Sequence, residues 1–127
     1  MQLRSIGFND RTDMEALMFG VPGNTKIFLC QEVVDLRKGF EGLGGLIRTL
    51  FSEEITSGAY FVFLNRERNR IKVLYWDLDG LAIWYKRLEK GRFKRSTFGQ
   101  TLIDRREFFM MLEGVTPKRL QARFRAS

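Results

Sequence analysis

The sequence predicts a single α+β domain, an antiparallel meander of four to five strands with two main helices covering one face of the sheet. Three observations lead to this prediction. Aromatic and β-branched runs separated by short polar turns occupy the middle of the chain. Segments with helical spacing of apolar residues lie on either side of them. The length of 127 residues, 44% of them hydrophobic, fits one domain with a sizeable core.

Residues 1–24 differ from the rest and are predicted to form a variable N-terminal prefix. The pattern favours one short helix there, with Thr12 as its N-cap and Glu15 completing a capping box. The main domain is therefore expected to span residues 25–116.

A strand at 26–30 and then a long helix are predicted to open the main domain. Asp35 is the candidate N-cap, which would place Arg37 and Lys38 in the first helical turn. Free backbone N–H groups there favour an anion, so an anion site and a merely solvated turn are both open. Close packing against a sheet is the expected reason for the glycines of "GLGGL". The predicted buried face consists of Leu36, Phe40, Leu43, Ile47 and Leu50.

Three strands, at 59–65, 70–77 and 81–88, are predicted to form the meander, because their short connections favour antiparallel neighbours. A two- or four-residue loop between the last two would place Lys72, Leu74 and Trp76 on one face with Leu81, Ile83, Tyr85 and Arg87. The same loop would place Trp84 and Lys86 on the other face. A three-residue loop would instead place Trp84 and Lys86 on the face of Lys72. Both faces are mostly apolar, which implies either cover on both sides or one aromatic face presented to a partner.

A further strand at 92–98 and a second helix ending near Gly114 are predicted to complete the domain. Asp104 and Glu107 have the spacing of a capping box at the start of this helix. The last segment, 117–127, is a basic tail, which either contacts nucleic acid or only adds charge that favours solubility.

The stretch "YWDLDG" admits two interpretations. Asp77 and Asp79 would point to the same side of a strand and could share a divalent ion. A hairpin turn is favoured, because Asp at the first position and Gly at the last suit a tight turn between two strands. No other carboxylates are placed to complete a metal site, so neither a metal site nor a catalytic residue is assigned.

The amino-acid composition excludes some kinds of catalytic site and favours certain partners. The absence of histidine excludes Ser-His-Asp and Cys-His catalysis. Cys30, the single cysteine, is expected to be buried and inert, as in a protein of a reducing compartment. No apolar run is long enough to span a bilayer, which favours a cytoplasmic location. The net charge of +7 predicts a polyanionic partner, namely nucleic acid, an anionic membrane surface or an acidic protein.

Basic residues beside aromatic ones are the candidate contacts, since cations hold phosphates and aromatic rings stack on unpaired bases. Ordinary core packing is the favoured role for each tryptophan taken alone. The candidate nucleic-acid-binding residues are Arg37, Lys38, Lys72, Trp76, Trp84, Lys86, Arg87 and Arg92.

The strings "DLRKGFEGL" (35–43), "IKVLYWDLDG" (71–80) and "KRLEKGRF" (86–93) occur in this order. With them the chain resembles the TnpB accessory proteins of insertion-sequence-66-type bacterial transposable elements, over roughly residues 26–114. The resemblance implies a small protein encoded beside a transposase and needed for efficient transposition, not the strand-transfer enzyme. The chain departs from the family pattern in its N-terminal prefix and at "CQEVVDLRKGF", where relatives often have Thr-Asp before Arg-Lys.

Two hypotheses of different classes follow. The first is a non-enzymatic factor without a cofactor that binds DNA, or the transposase–DNA complex, through the candidate residues. The alternative is a protein-interaction module that presents an aromatic sheet face to the transposase or to another copy of itself. No membrane partner is expected in either case.

Overall fold

The structure, a computed structural model, describes residues 24–94 and 101–113. Its five strands form one sheet in the order β4-β3-β2-β1-β5. The predicted α+β class with a mainly antiparallel sheet is confirmed, whereas the helix predicted in the prefix and the basic tail lie outside the described residues. In chain order the elements are β1 (Ile27–Leu29), α1 (Phe40–Leu50), a short 3₁₀ helix (Ile55–Ser57), β2 (Tyr60–Leu64), β3 (Arg70–Asp77), β4 (Gly80–Arg87), β5 (Leu102–Ile103) and α2 (Arg105–Glu113).

The meander of β2, β3 and β4 is antiparallel throughout, as predicted. Asp77 pairs with Gly80, so Leu78 and Asp79 form a two-residue loop. The hairpin turn predicted from "DLDG" is therefore confirmed. Of the two face partnerships that the sequence left open, this loop length selects the one in which Lys72 pairs with Tyr85.

The outer part of the sheet differs from a simple meander. β1 runs parallel to β2, with Ile27 opposite Tyr60. The connection between them contains α1 and is long enough to bring the chain back to the same end of the sheet, which a parallel pair requires. β5 pairs antiparallel with β1 and was not predicted. Of the segment predicted as a strand at 92–98, residues 92–94 are not in a strand and the remainder lies outside the described residues.

The two helices cover opposite faces of the sheet, so the prediction that they share one face is wrong. Side chains alternate along β2, β3 and β4, and both alternating sets are apolar, so each set needs its own cover. Under α1 the buried set includes Leu43, Ile47, Phe61, Phe63, Leu74 and Ile83. Under α2 it includes Tyr75, Trp84, Phe93, Phe108, Met111 and Leu112.

Helix α1 begins four residues later than an N-cap at Asp35 would place it. The Asp35 carboxylate instead accepts hydrogen bonds from the backbone N–H and the guanidinium of Arg37 at 3.0 and 2.6 Å. Lys38 N–H donates to the Asp35 carbonyl at 3.1 Å and closes a turn. Gly39 is the N-cap of the helix, and its carbonyl accepts a hydrogen bond from Leu43 N–H at 2.9 Å. Arg37 and Lys38 therefore precede the first helical turn.

Helix α2 begins as its sequence predicts. Asp104 Oδ1 accepts a hydrogen bond from Glu107 N–H at 2.7 Å, which confirms Asp104 as the N-cap. Phe108, Met111 and Leu112 are buried, as predicted for the face toward the sheet. Tyr60 on β2 meets Phe108 edge-to-face, with ring centroids 6.4 Å apart.

Cys30 is 4% exposed and belongs to the apolar cluster under α1. Its thiol donates a weak hydrogen bond to the Glu32 carbonyl at 3.7 Å. The predicted burial of the cysteine is confirmed.

The glycines of α1 do not serve close packing against the sheet. A Cβ at Gly42 would lie 3.0 Å from the Cβ of Lys38, and one at Gly44 would be in ordinary contact with Ile55 at 3.5 Å. A Cβ at Gly45 would approach only the Arg48 guanidinium, at 3.9 Å. Of these three glycines, therefore, only Gly42 has a neighbouring side chain that a methyl group would crowd.

Gly45→Ala is expected to stabilise the protein by about 1 kcal/mol, because alanine has the higher helix propensity and the site has room for the methyl group. Urea unfolding followed by circular dichroism would measure the change. Gly42→Ala is the matched control and should gain less, since its methyl group must displace the Lys38 side chain. A loss of stability in Gly45→Ala would contradict the prediction.

Candidate nucleic-acid interface

Four of the predicted contact residues come together at one end of the sheet, on the face that α1 covers. Arg87 ends β4 and lies opposite Arg70, which begins β3. Lys72 is on the same face of β3, two residues further along. We call this surface the cationic end and define it as Arg37, Lys38, Arg66, Arg70, Lys72 and Arg87.

Lys72 connects the sheet to the segment that precedes α1. Its ammonium donates a hydrogen bond to the Lys38 carbonyl at 2.9 Å and lies 5.3 Å from the centroid of the Tyr85 ring. Partial burial lowers the pKa of Lys72 from its ordinary value. Lys72 therefore holds Lys38 in place and contributes positive charge beneath it.

The side chain of Lys38 lies along the first turn of α1. Its Cβ, Cγ and Cδ would come within 3.0–3.3 Å of a methyl group at Gly42. A glycine at this position leaves the space that the aliphatic part of Lys38 occupies. The spacing of Lys38 and Gly42 in "RKGFEG" thus has a packing reason.

Arg37 forms an exposed ion pair with Asp35. Its guanidinium approaches the carboxylate at 2.6 Å, and the two side chains are 88% and 48% exposed. The side-chain hydrogen bond from Arg37, helped by its backbone N–H, holds the pKa of Asp35 well below the usual range. Such exposed pairs contribute little to stability, so a phosphate can replace the carboxylate at small cost.

Arg87 is similarly exposed and paired with an acid. Its Nε lies 3.1 Å from a Glu89 carboxylate oxygen, and the side chains are 53% and 68% exposed. Water surrounds both groups, so this pair also leaves the cation accessible to a stronger anion.

Asparagine side chains shape the β2–β3 turn and thereby place Arg66 and Arg70. Asn65 Oδ1 accepts from Arg70 N–H at 3.0 Å, and Asn65 Nδ2 donates to Asn69 Oδ1 at 2.7 Å. Arg68 adopts a positive φ of 57°, which tightens the turn. The candidate residues predicted from the sequence omit Arg66 and Arg70, although the string "NRERNR" places a basic residue at every second position and could have indicated them.

A cleft of about 460 Å³ opens beside this turn. Its apolar lining comes from the segment between β1 and α1, where Val33 is 45% exposed. Its polar lining contains three arginines and two acids. The lining residues are Val33, Val34, Asp35, Leu36, Arg37, Asn65, Arg66, Glu67 and Arg70.

The structure places Trp84 and Lys86 away from this surface. Their side chains alternate with Tyr85 and Arg87 and point to the sheet face under α2, where Trp84 is 2% and Lys86 is 8% exposed. Core packing, the favoured role for each tryptophan taken alone, is what Trp84 shows. A buried indole cannot stack on a base, so the aromatic sheet face of the alternative hypothesis is covered.

Trp76 and Arg92 occupy intermediate positions. Trp76 is partly buried on the face under α1, but it lies about 13 Å along β3 from Lys72, and its indole N–H donates to the Leu78 carbonyl at 3.0 Å. Arg92 is exposed, and the next residue, Phe93, donates its N–H to the Arg68 carbonyl at 2.6 Å. The chain beside Arg92 thus lies next to the β2–β3 turn, whereas Trp76 does not belong to the cationic end.

The described residues contain no helix long and apolar enough to cross a membrane. Within the same ranges, no group of three or more His, Cys, Asp or Glu side chains is placed to hold a metal ion.

Comparison with known proteins gives a family match. Residues 25–122 match the family model described as IS66 Orf2-like protein. The uncharacterised protein y4jC of Sinorhizobium fredii is 32% identical over 60% of this chain and 65% of its own length. The uncharacterised protein y4hO of the same organism is 30% identical over 55% of this chain and 61% of its own length. The chain thus covers less than two thirds of each relative. No solved structure matches it significantly.

Proposed function

Because the chain belongs to the family of IS66 Orf2-like proteins, accessory proteins of insertion sequences, we propose that it supports transposition as a non-catalytic DNA-binding factor. Its binding partner is DNA itself or DNA in complex with the element-encoded transposase. Contact is made mainly with phosphates through the cationic end.

The observation that carries this proposal is the convergence of six basic side chains from four parts of the fold on one surface. Arg37 and Lys38 precede α1, Arg66 lies in the β2–β3 turn, and the others lie on β3 and β4. Asp35 and Glu89 partly offset the charge, but both are exposed partners that a phosphate can displace.

The chemistry of this surface favours backbone contacts over reading of bases. Lysine and arginine side chains fit phosphate oxygens, and guanidinium groups can bind them with two parallel hydrogen bonds. Within the described residues, no helix projects from the cationic end in the manner of a recognition helix, since α1 packs its apolar side on the sheet. We therefore expect affinity with little sequence preference.

A salt titration tests this proposal. Binding of the purified full chain to a short labelled duplex, followed by fluorescence anisotropy, should weaken steeply with salt. If four of the six cations contact phosphates, affinity should fall roughly 100-fold between about 50 and 200 mM salt. Absence of binding at the low end of this range would refute DNA binding by the protein alone. Repeating the titration with transposase present would then show whether the complex is the partner.

A further inference from the structure

Leu78, at the tip of the β3–β4 hairpin, combines two unfavourable features. Its side chain is 92% exposed, and its φ is 59°. Asp79 N–H donates to the Asp77 carbonyl at 2.6 Å, which makes Leu78 the central residue of a tight three-residue turn. Glycine or asparagine adopts such a backbone more readily than leucine and would expose no large apolar side chain.

The tip is held in this conformation by its neighbours. The Trp76 indole N–H donates to the Leu78 carbonyl at 3.0 Å, and Asp77 pairs with Gly80 beneath it. A strained residue that the surrounding structure holds in place is a recurrent feature of contact sites. The hairpin therefore presents Leu78 outward as a rigid apolar knob.

Charge at the tip indicates what kind of surface would receive it. Asp77 and Asp79 flank Leu78, and the Asp79 side chain is exposed. Carboxylates on both sides oppose the insertion of Leu78 between DNA bases, because the phosphates would repel them. The complementary surface is an apolar recess with a basic rim.

The cleft at the other end of the hairpin offers an exposed apolar side chain and an excess of basic groups. Val33 is 45% exposed, and the arginines Arg37, Arg66 and Arg70 outnumber the acids Asp35 and Glu67. A volume of about 460 Å³ is enough for several side chains. Tip and cleft lie at opposite ends of β3, roughly 25 Å apart, so they cannot meet within one molecule.

We propose that the hairpin tip of one copy docks into the cleft of a second copy. Leu78 fills the apolar recess, and Asp79 lies against the arginines of the rim. The two surfaces are different, so in a pair one copy still has a free cleft and the other still has a free tip. Further copies can therefore add head to tail until they form a long chain or close into a ring. The proposal does not rest on DNA binding, but Arg37, Arg66 and Arg70 belong to both surfaces, so docking and DNA would compete for them.

Sedimentation velocity of the full chain over a concentration series, without nucleic acid, tests the association. The wild-type protein should form dimers and larger species as concentration rises. Leu78→Asn should weaken association by about tenfold or more, because the apolar anchor is lost. The same variant should melt no lower than the wild type, since asparagine tolerates the positive φ, and this separates lost docking from lost folding.

A mixing experiment tests the head-to-tail geometry. Val33→Glu places a carboxylate in the cleft and leaves the tip intact, whereas Leu78→Asn leaves the cleft intact. At a concentration where the wild type is associated and the tenfold weaker variants are not, each variant alone should be monomeric, and an equimolar mixture should form a dimer and nothing larger. A wild-type chain that stays monomeric at all concentrations would overturn the proposal and leave the tip to a different protein. Oligomers that survive Leu78→Asn, or a mixture that forms no dimer, would overturn it as well.

Discussion

The double variant Arg70→Glu/Arg87→Glu is expected to lose most of the affinity for DNA. The two residues lie opposite each other on adjacent strands and belong to the cationic end. Losing a hydrogen bond between charged groups costs about 1.5 kcal/mol or more, so two such losses weaken binding roughly 100-fold. Introduced carboxylates add repulsion. The slope of log affinity against log salt should also become shallower by about two, which anisotropy titrations would show.

The matched control is Arg48→Glu/Arg106→Glu. It makes the same change in net charge, but Arg48 is in the last turn of α1 and Arg106 is exposed on α2, both outside the cationic end. Equal losses in the two double variants would mean that only total charge matters and would contradict the assigned surface. Lys86→Glu is unsuitable as a test, because Lys86 is 8% exposed and its reversal would threaten folding.

Phe61→Ala is expected to destabilise the protein by about 3–5 kcal/mol, because it removes a fully buried ring and leaves a cavity. Phe61 is 0% exposed at the centre of the cluster under α1. Its ring centroid lies 5.6 Å from that of Phe28 and 5.4 Å from that of Phe51. Small domains have a total stability of about 5–15 kcal/mol, so the variant should lie close to unfolding.

Guanidinium unfolding monitored by circular dichroism would measure this loss. Phe51→Ala is the control within the same aromatic group, and it should cost less because Phe51 is only partly buried. If the Phe61 variant lost less than about 1 kcal/mol, the cluster under α1 would not be a principal source of stability, contrary to its burial.

Several parts of the fold were predictable because their signals are local. The turn at "DLDG" joins two runs of strand-forming residues, and its length sets which side chains share a face. Asp104 caps α2 by accepting a hydrogen bond from the backbone N–H of Glu107, three residues later, and this spacing is visible in the sequence. The start of α1 was missed because an aspartate can cap a helix or close a turn with the same atoms. Here Arg37 provides donors that favour the turn.

The candidate surface was only partly predictable for a different reason. Alternation along β4 separates Arg87 from Lys86, but it does not reveal which face a helix will cover. The sequence predicted cover on one face, whereas α2 packs over Trp84 on the other face, where Lys86 is buried as well. Arg66 and Arg70 are missing from the predicted candidates because they form a cationic surface only together with Arg37 and Lys38. Those two residues are distant in sequence and adjacent in the fold.

The sequence by itself determined the α+β class, the β2–β3–β4 meander, the position of the hairpin turn, and the excess of positive charge. These features depend on residue type and short spacing, which the chain carries in linear order. Only the tertiary structure decided that β1 runs parallel to β2, that the helices cover opposite faces, and that the cleft lies at the other end of the hairpin from Leu78. Such relations depend on contacts between distant segments, where burial and packing select one arrangement among several that the local pattern allows.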